Sequence, residues 1–192
     1  MCADSAGPPW QTRKSWQEAN FSIRYLLARH PQQMQPLFQI AGEIRQRLDI
    51  LDAIYDALCP QTCPFCPEPC CAGADVWFDL RDLLFLHAGF LPVPLKNPRK
   101  PDHLPCWFLG SGGCSLLRKS RPWICTWYLC PVQKRRLQNR RPAVFMQLRT
   151  LTEEIAAYRK QLEKHFIRVV GAPPAACKRG GAREEKLEAG HE

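Results

Sequence analysis

The sequence predicts a mainly α-helical protein, on three observations. Apolar residues recur at three- and four-residue steps over 35–58, and again over 148–166. Between these stretches the period gives way to a segment dense in proline and cysteine. The expected architecture is therefore a set of long amphipathic helices flanking an irregular cysteine-rich module. With 192 residues, 45% of them apolar, the chain is sized for one domain with a modest core. That domain is expected over 14–170, with the module at 59–131 and disordered ends at 1–13 and 171–192.

Each element has a local reason. Ser15, with Glu18 three residues on, reads as the cap of a first helix that runs to about Arg29 and stops ahead of Pro31. Leu37, Ile40, Ile44, Leu48, Leu51, Ile54, Tyr55 and Leu58 form the stripe of a second helix, Gln35 to Leu58, ended by Pro60. Asp75 reads as the cap of a third, Val76 to Ala88, closed by Gly89. Residues 90–105 carry no period and read as a loop, and 106–130 as small turns or short strands. The last helix is expected from about Pro142, with Leu148, Leu151, Ile155, Tyr158, Leu162 and Phe166 as its buried stripe.

Nine cysteines fall in the module, and eight of them form two bunches. Cys63, Cys66, Cys70 and Cys71 fall in the run C-P-F-C-P-E-P-C-C, and Cys106, Cys114, Cys125 and Cys130 follow. Thiolates bind zinc at about 2.3 Å, and a CxxC spacing lets one tight turn aim two sulfurs at one ion. Eight thiols would fill two four-coordinate sites or hold a cluster of several metals. The vicinal pair Cys70–Cys71 fits less easily, because neighbouring side chains of an extended chain point apart. Either the pair serves two metals or only one of the two is a ligand. Gly110, Gly112 and Gly113 would let the backbone approach a metal closely. The aromatic residues Trp107, Phe108, Trp123, Trp127 and Tyr128 would supply an apolar surround, as is common at structural metals.

Disulfides are a poorer account of this pattern. The N-terminus has neither a basic n-region nor an apolar h-region, which makes a cytoplasmic location the expectation. There, bunched thiols signal metal or redox chemistry more often than a disulfide framework, and the total of eleven is odd. No stretch approaches the roughly 20 apolar residues of a membrane span.

The runs C-P-F-C-P-E-P-C-C, P-C-W-F-L-G-S-G-G-C-S-L and S-R-P-W-I-C-T-W-Y-L-C together resemble the YkgJ-type cysteine-cluster family, whose CxxCxxCC domain is described as zinc- or iron-chelating. The resemblance covers about residues 63–130 and implies that Cys63, Cys66, Cys70, Cys71, Cys106, Cys114, Cys125 and Cys130 are the chelating positions. Phe108, Leu109, Arg121 and Pro122 match the family's other signature residues. One departure, three residues rather than two between Cys66 and Cys70, leaves Cys59 as an alternative member of the set. Zinc and an iron–sulfur cluster are both compatible with thiolate ligands.

The net charge of +9 is confined to one region. No Asp or Glu occurs from His103 to Thr152, while Arg118, Lys119, Arg121, Lys134, Arg135, Arg136, Arg140, Arg141 and Arg149 do. These cations could neutralise metal-bound thiolates, since zinc with four thiolates carries a net −2. The function expected is therefore metal chelation, with a metal ion as the first partner and a protein partner as a further one. Two other classes stand beside it. One is an iron–sulfur enzyme of redox or protein methyl-transfer type, for which His87 and His103 are available as extra ligands or acid–base groups, although a lone histidine is more often structural. The other is nucleic-acid binding through K-R-R-L-Q-N-R-R at 134–141. No phosphate-binding loop, dinucleotide fingerprint or HExxH motif is present.

Overall fold

The computed structural model describes residues 10–66, 70–73, 76–97, 106–110 and 113–171. It is 72% helical with 3% in strands, which bears out the mainly α expectation. The disorder expected at the ends falls mostly on residues 1–9 and 172–192, outside the described residues. Trp10 is different, because its ring stands edge-on to Trp16 with centroids 6.4 Å apart.

Helix α1 spans Arg13–Arg29, and its cap is Thr12 rather than the expected Ser15. The Ser15 amide donates to Thr12 Oγ1 at 3.0 Å and the Thr12 amide donates to Ser15 Oγ at 3.1 Å. Ser15 thus closes a reciprocal box as its far member, a role usually filled by Glu or Gln. Helix α2, Gln35–Leu58, has the expected limits. Its buried face is Leu37, Ala41, Ile44, Leu48, Leu51, Tyr55 and Leu58, while Ile40 and Ile54 are only half-buried. Pro60 ends the α-helix, and the chain winds on in two tight 3-10 turns, Cys59–Gln61 and Cys63–Phe65. A single turn, α3, covers Cys70–Gly73. Cys70 and Cys71 therefore lie on helical backbone and not on the extended chain from which their divergence was argued.

Helix α4 is Leu80–Ala88, four residues shorter than expected. Asp79, not Asp75, is its cap: the Asp82 amide donates to Asp79 Oδ1 at 2.8 Å and the Asp79 amide to Asp82 Oδ2 at 3.0 Å. Gly89 closes it as expected, and a Cβ there would sit 2.8 Å from the Phe85 carbonyl oxygen. Residues 91–97 are irregular. A two-residue hairpin follows, β1 (Leu109–Gly110) against β2 (Gly113–Cys114), with Leu109 opposite Cys114. Helices α5 (Trp123–Trp127), α6 (Pro131–Arg140) and α7 (Pro142–Val170) complete the chain. The sequence reading missed α6 because it buries only Gln133 and Leu137, one turn apart, and so carries no stripe.

The frame is an antiparallel pair. The His165 ring lies 2.7 Å from the Gln33 carbonyl at one end of α2 and α7, and Leu58 shares a groove with Val144 at the other. Helix α4 packs on α7 and α1 packs on α4, while the Trp16 indole of α1 donates to the Pro94 carbonyl of the irregular segment after α4 at 3.0 Å. Burying leucines, isoleucines and aromatics at about 1.5–3 kcal/mol each is what holds such a frame together. One member of the α7 stripe departs from expectation. Arg159, 4% exposed, occupies the buried position assigned to Tyr158, which lies half-buried beneath the Arg47 guanidinium at 4.6 Å. Among the described residues no helix is long and apolar enough to cross a membrane.

Candidate metal centre

The cysteine module sits at the α2 C-terminal end and is fastened to the frame by polar contacts. Arg159 of α7 donates from Nη1 to Asp82 Oδ1 at 2.7 Å and from Nη2 to Asp79 Oδ1 at 2.8 Å. Asp82, 5% exposed, also accepts the Trp123 amide at 3.0 Å, and the Arg159 guanidinium lies 5.4 Å from the Trp123 ring centroid. One buried ion pair therefore positions the first turn of α5, two residues before Cys125. Burial pushes the Asp82 carboxyl above the usual carboxylate range, and Arg159 opposes that shift. The other end of α5 is held by Tyr55 of α2, whose hydroxyl donates to the Trp127 carbonyl at 3.1 Å, with the Tyr128 carbonyl at 3.3 Å.

The thiols regroup relative to the sequence. One set gathers around Gln133, which is 5% exposed. Its Nε2 donates to Thr62 Oγ1 at 3.0 Å and lies 3.6 Å from Cys63 Sγ and 3.7 Å from Cys59 Sγ. Its backbone amide donates to Cys130 Sγ at 3.4 Å, so that sulfur caps α6 in the way a serine hydroxyl would. Burial, and after it the adjacent Cys63, raise the Cys59 thiol above its ordinary range. Cys59, the alternative ligand of the sequence reading, thus stands beside Cys63 at the Gln133 side chain, with Cys130 at the backbone of the same residue.

The second set is Cys106, Cys114 and Cys125. Burial pushes the Cys125 thiol up to about 12, with the nearby Cys114 and Cys106 sulfurs adding to the effect. The hairpin brings Cys114 back towards Cys106, and Gly113, at φ 101°, makes the turn that allows it. Arg121 braces this hairpin, donating from Nε to the Leu116 carbonyl at 3.1 Å and from Nη2 towards the Cys114 carbonyl at 3.5 Å. Pro122 is fully buried and its carbonyl accepts the Cys125 amide at 2.9 Å. The Arg-Pro pair thus has a local task, which is to hold the backbone on both sides of Cys114 and Cys125.

Cys66 is exposed, and the side chains of Cys70 and Cys71 lie outside the described residues. Among the described residues, no three His, Cys, Asp or Glu side chains converge closely enough to hold one metal ion. The expected aromatic surround is open on one side, with Phe65 80%, Trp107 48% and Tyr128 42% exposed. His87 is structural: Asn20 Nδ2 donates to the Trp16 carbonyl at 2.8 Å, which turns Asn20 Oδ1 to accept from His87 Nε2 at 2.9 Å. Burial, with Arg24 nearby, lowers the His87 pKa. His103 lies outside the described residues.

The basic stretch divides in two. Arg118 pairs with Asp56 at 2.7 Å and Asp52 at 3.5 Å, and Lys119 pairs with Asp49, all three acids on one face of α2. Burial disfavours the Arg118 charge, but Asp56, Cys59 and Asp52 outweigh it and its pKa is raised. The partners of this half are carboxylates of the frame before they are sulfurs. Lys134, Arg135, Arg140 and Arg141 are exposed on and just after α6.

Gln133, Tyr55, Asp82 and Arg159 were not legible as site residues. Each acts through a contact with a partner 41 or more residues away along the chain, and only the 3.6-residue spacing of Tyr55 hinted at burial. Comparison with known protein families, curated proteins and solved structures returned no match.

Proposed function

We propose that this chain binds a thiolate-coordinated metal, either zinc or an iron–sulfur cluster, through two neighbouring sets of cysteines. The observation that carries the reading is the regrouping of sulfurs from four separate segments. Cys59 and Cys63 lie against the Gln133 side chain and Cys130 against its backbone amide, while Cys106 and Cys114, drawn together by the hairpin, lie near enough to Cys125 to raise its thiol. Packing gives no reason for such convergence, because a small apolar residue would fill the same space without bringing sulfurs together. Soft thiolates select zinc, copper(I) and iron–sulfur centres over hard cations.

The described thiols do not close a site by themselves, so a bound metal needs each set to draw in around it, with Cys66, Cys70 and Cys71 as the remaining donors. Gln133 would then donate to bound sulfurs, the kind of contact that orients ligands and tunes a centre. Arg121 and Tyr55 would hold the backbone to which Cys114, Cys125 and Cys130 belong. The likeness to YkgJ-type chelating domains agrees with this reading in the cysteine pattern, and Cys59 extends it.

Protein purified without oxygen should carry zinc or iron by elemental analysis, with broad visible absorption if the metal is in an iron–sulfur cluster. Replacing Cys59, Cys63 and Cys130 together by serine should remove roughly half of it, as expected for two sets. A metal-free preparation that is fully folded, with every thiol open to alkylation, would sink the proposal.

A further inference from the structure

We propose that the groove between α2, α6 and α7 is a docking site for an acidic amphipathic helix of a partner protein. Helix α2 carries two apolar stripes. The first, through Leu51, Tyr55 and Leu58, is buried in the frame. The second, Ile50, Ala53, Ile54 and Ala57, repeats at i, i+3, i+4 and i+7 and faces out, with Ile50 46% exposed. This second stripe is the floor of a groove of about 430 Å³, continued by Leu137 of α6 and Val144 of α7. A helical stripe is complemented by another helix with the same spacing, and the two alanines let its backbone come near.

Charge decides which helix. The groove wall on the α6 side carries Arg136, Arg140 and Arg141, and its lining contains no Asp or Glu. Among the described residues none of these three arginines forms an ion pair, whereas Arg118 and Lys119 are met by three acids of α2. Arg136 donates instead to Gln61 Oε1, which holds it along the rim. Arg135 extends the positive edge into an adjoining hollow beside Val132 and Asn139. A helix with an apolar face and a row of glutamates or aspartates on the flank beside α6 satisfies both features. A nucleic acid satisfies only one, because the groove floor is aliphatic and the lining offers no aromatic ring for a base to stack on.

The test is fluorescence anisotropy of the full chain with a labelled synthetic helix of about four turns. Its leucines are spaced i, i+3, i+4, i+7 and glutamates line one flank. The expected result is saturable binding that weakens as salt rises from about 50 to about 200 mM. Two variants should each weaken it about tenfold or more. Arg140→Glu with Arg141→Glu reverses the rim, and Ala57→Trp fills the floor at an exposed position without touching a charge. Binding should also fall with lysines in place of the glutamates, or with a central proline. Failure of the acidic helix to bind would overturn the proposal. So would a single-stranded oligonucleotide that binds more tightly than the peptide, depends on Arg140 and Arg141 and ignores Ala57→Trp, since the rim would then be a nucleic-acid surface. Metal content of the same variants should match the unmodified protein, so this test stands or falls separately from the metal reading.

Discussion

The helical frame and the cysteine module are held together by different physics. The frame buries aliphatic side chains along α2, α4 and α7, and Leu37, Ala41, Leu51, Ile155 and Leu162 are all at 0% exposure. The module has short turns, a two-residue hairpin and exposed aromatics, and polar contacts reaching out of the frame join the packing of Leu116, Trp123 and Leu129 on the core in ordering it. Arg159 and Asp82 hold α5 at one end, Tyr55 at the other, and Gln133 ties Cys59, Cys63 and Cys130 together. Apolar burial is spread over many side chains of the frame, and losing one costs its own transfer and cavity term. In the module a broken polar contact has a further consequence, because each lost partner leaves an unsatisfied group behind.

Arg159→Met tests that difference most severely. It keeps the apolar stem of the side chain but leaves Asp82 buried beside Asp79 with no cation. Removing one member of a buried pair costs about 3–5 kcal/mol. Urea unfolding should show a loss of that size, and Cys125 should become reactive to a thiol reagent under conditions where α2 and α7 remain helical. A loss below about 1 kcal/mol would mean that the pair is no anchor.

The same contrast explains what the sequence made legible. Helices α2 and α7 announce themselves because burial by a helix leaves a periodic trace, and the limits of α2 agree to the residue. The α7 stripe was read one residue off at Tyr158 because periodicity ranks a tyrosine above an arginine. It cannot see that Asp79 and Asp82 stand across from Arg159. In the module, cysteine spacing marked the thiols on which the proposed metal reading rests. The pairing was not readable, because Cys130 joins Cys59 and Cys63 through the path of α6, a helix without a stripe. A cap was read at the start of α1 and of α4, but at Ser15 rather than Thr12 and at Asp75 rather than Asp79, residues that offer the same chemistry.

Asp52 sharpens the comparison at the seam between the two regions. Its side chain is 14% exposed, its Oδ1 lacks a hydrogen bond, and Arg118 of the module is 3.5 Å away. Burial raises its pKa to about 6, with Arg118 opposing. The folded state thus binds a proton more tightly than the unfolded chain, whose aspartates titrate near 3.9. The contribution to stability is full below about pH 4 and is lost as pH rises through about 6, amounting to about 3 kcal/mol. Asp52→Asn should therefore be the more stable protein at pH 7, by an amount that shrinks as the pH is lowered towards 4. A difference independent of pH would show that Asp52 is ionised at no cost.

Gln133→Ala comes next in size. It removes one buried amide that serves Thr62 Oγ1 and two sulfurs, and the expected loss is about 1–2 kcal/mol. The measurement that matters is where the loss appears. Thiol reactivity should rise at Cys59 and Cys63 and remain unchanged at Cys125, because the second set does not touch Gln133. Equal rises at all three would merge the two sets into one.

Thr12→Ala is the smallest change and the control for all the others. Thr12 lies in the frame, exposed, and its hydroxyl satisfies one free amide at the start of α1. Loss of such a cap costs about 1 kcal/mol. The substitution touches no sulfur and no ion pair of the module, so metal content, thiol reactivity and the pH dependence attributed to Asp52 should all be unchanged while the urea midpoint falls. A midpoint that falls together with a rise in Cys125 reactivity would mean that frame and module melt as one unit. Polar anchoring would then be no weaker a bond between regions than the apolar burial within one.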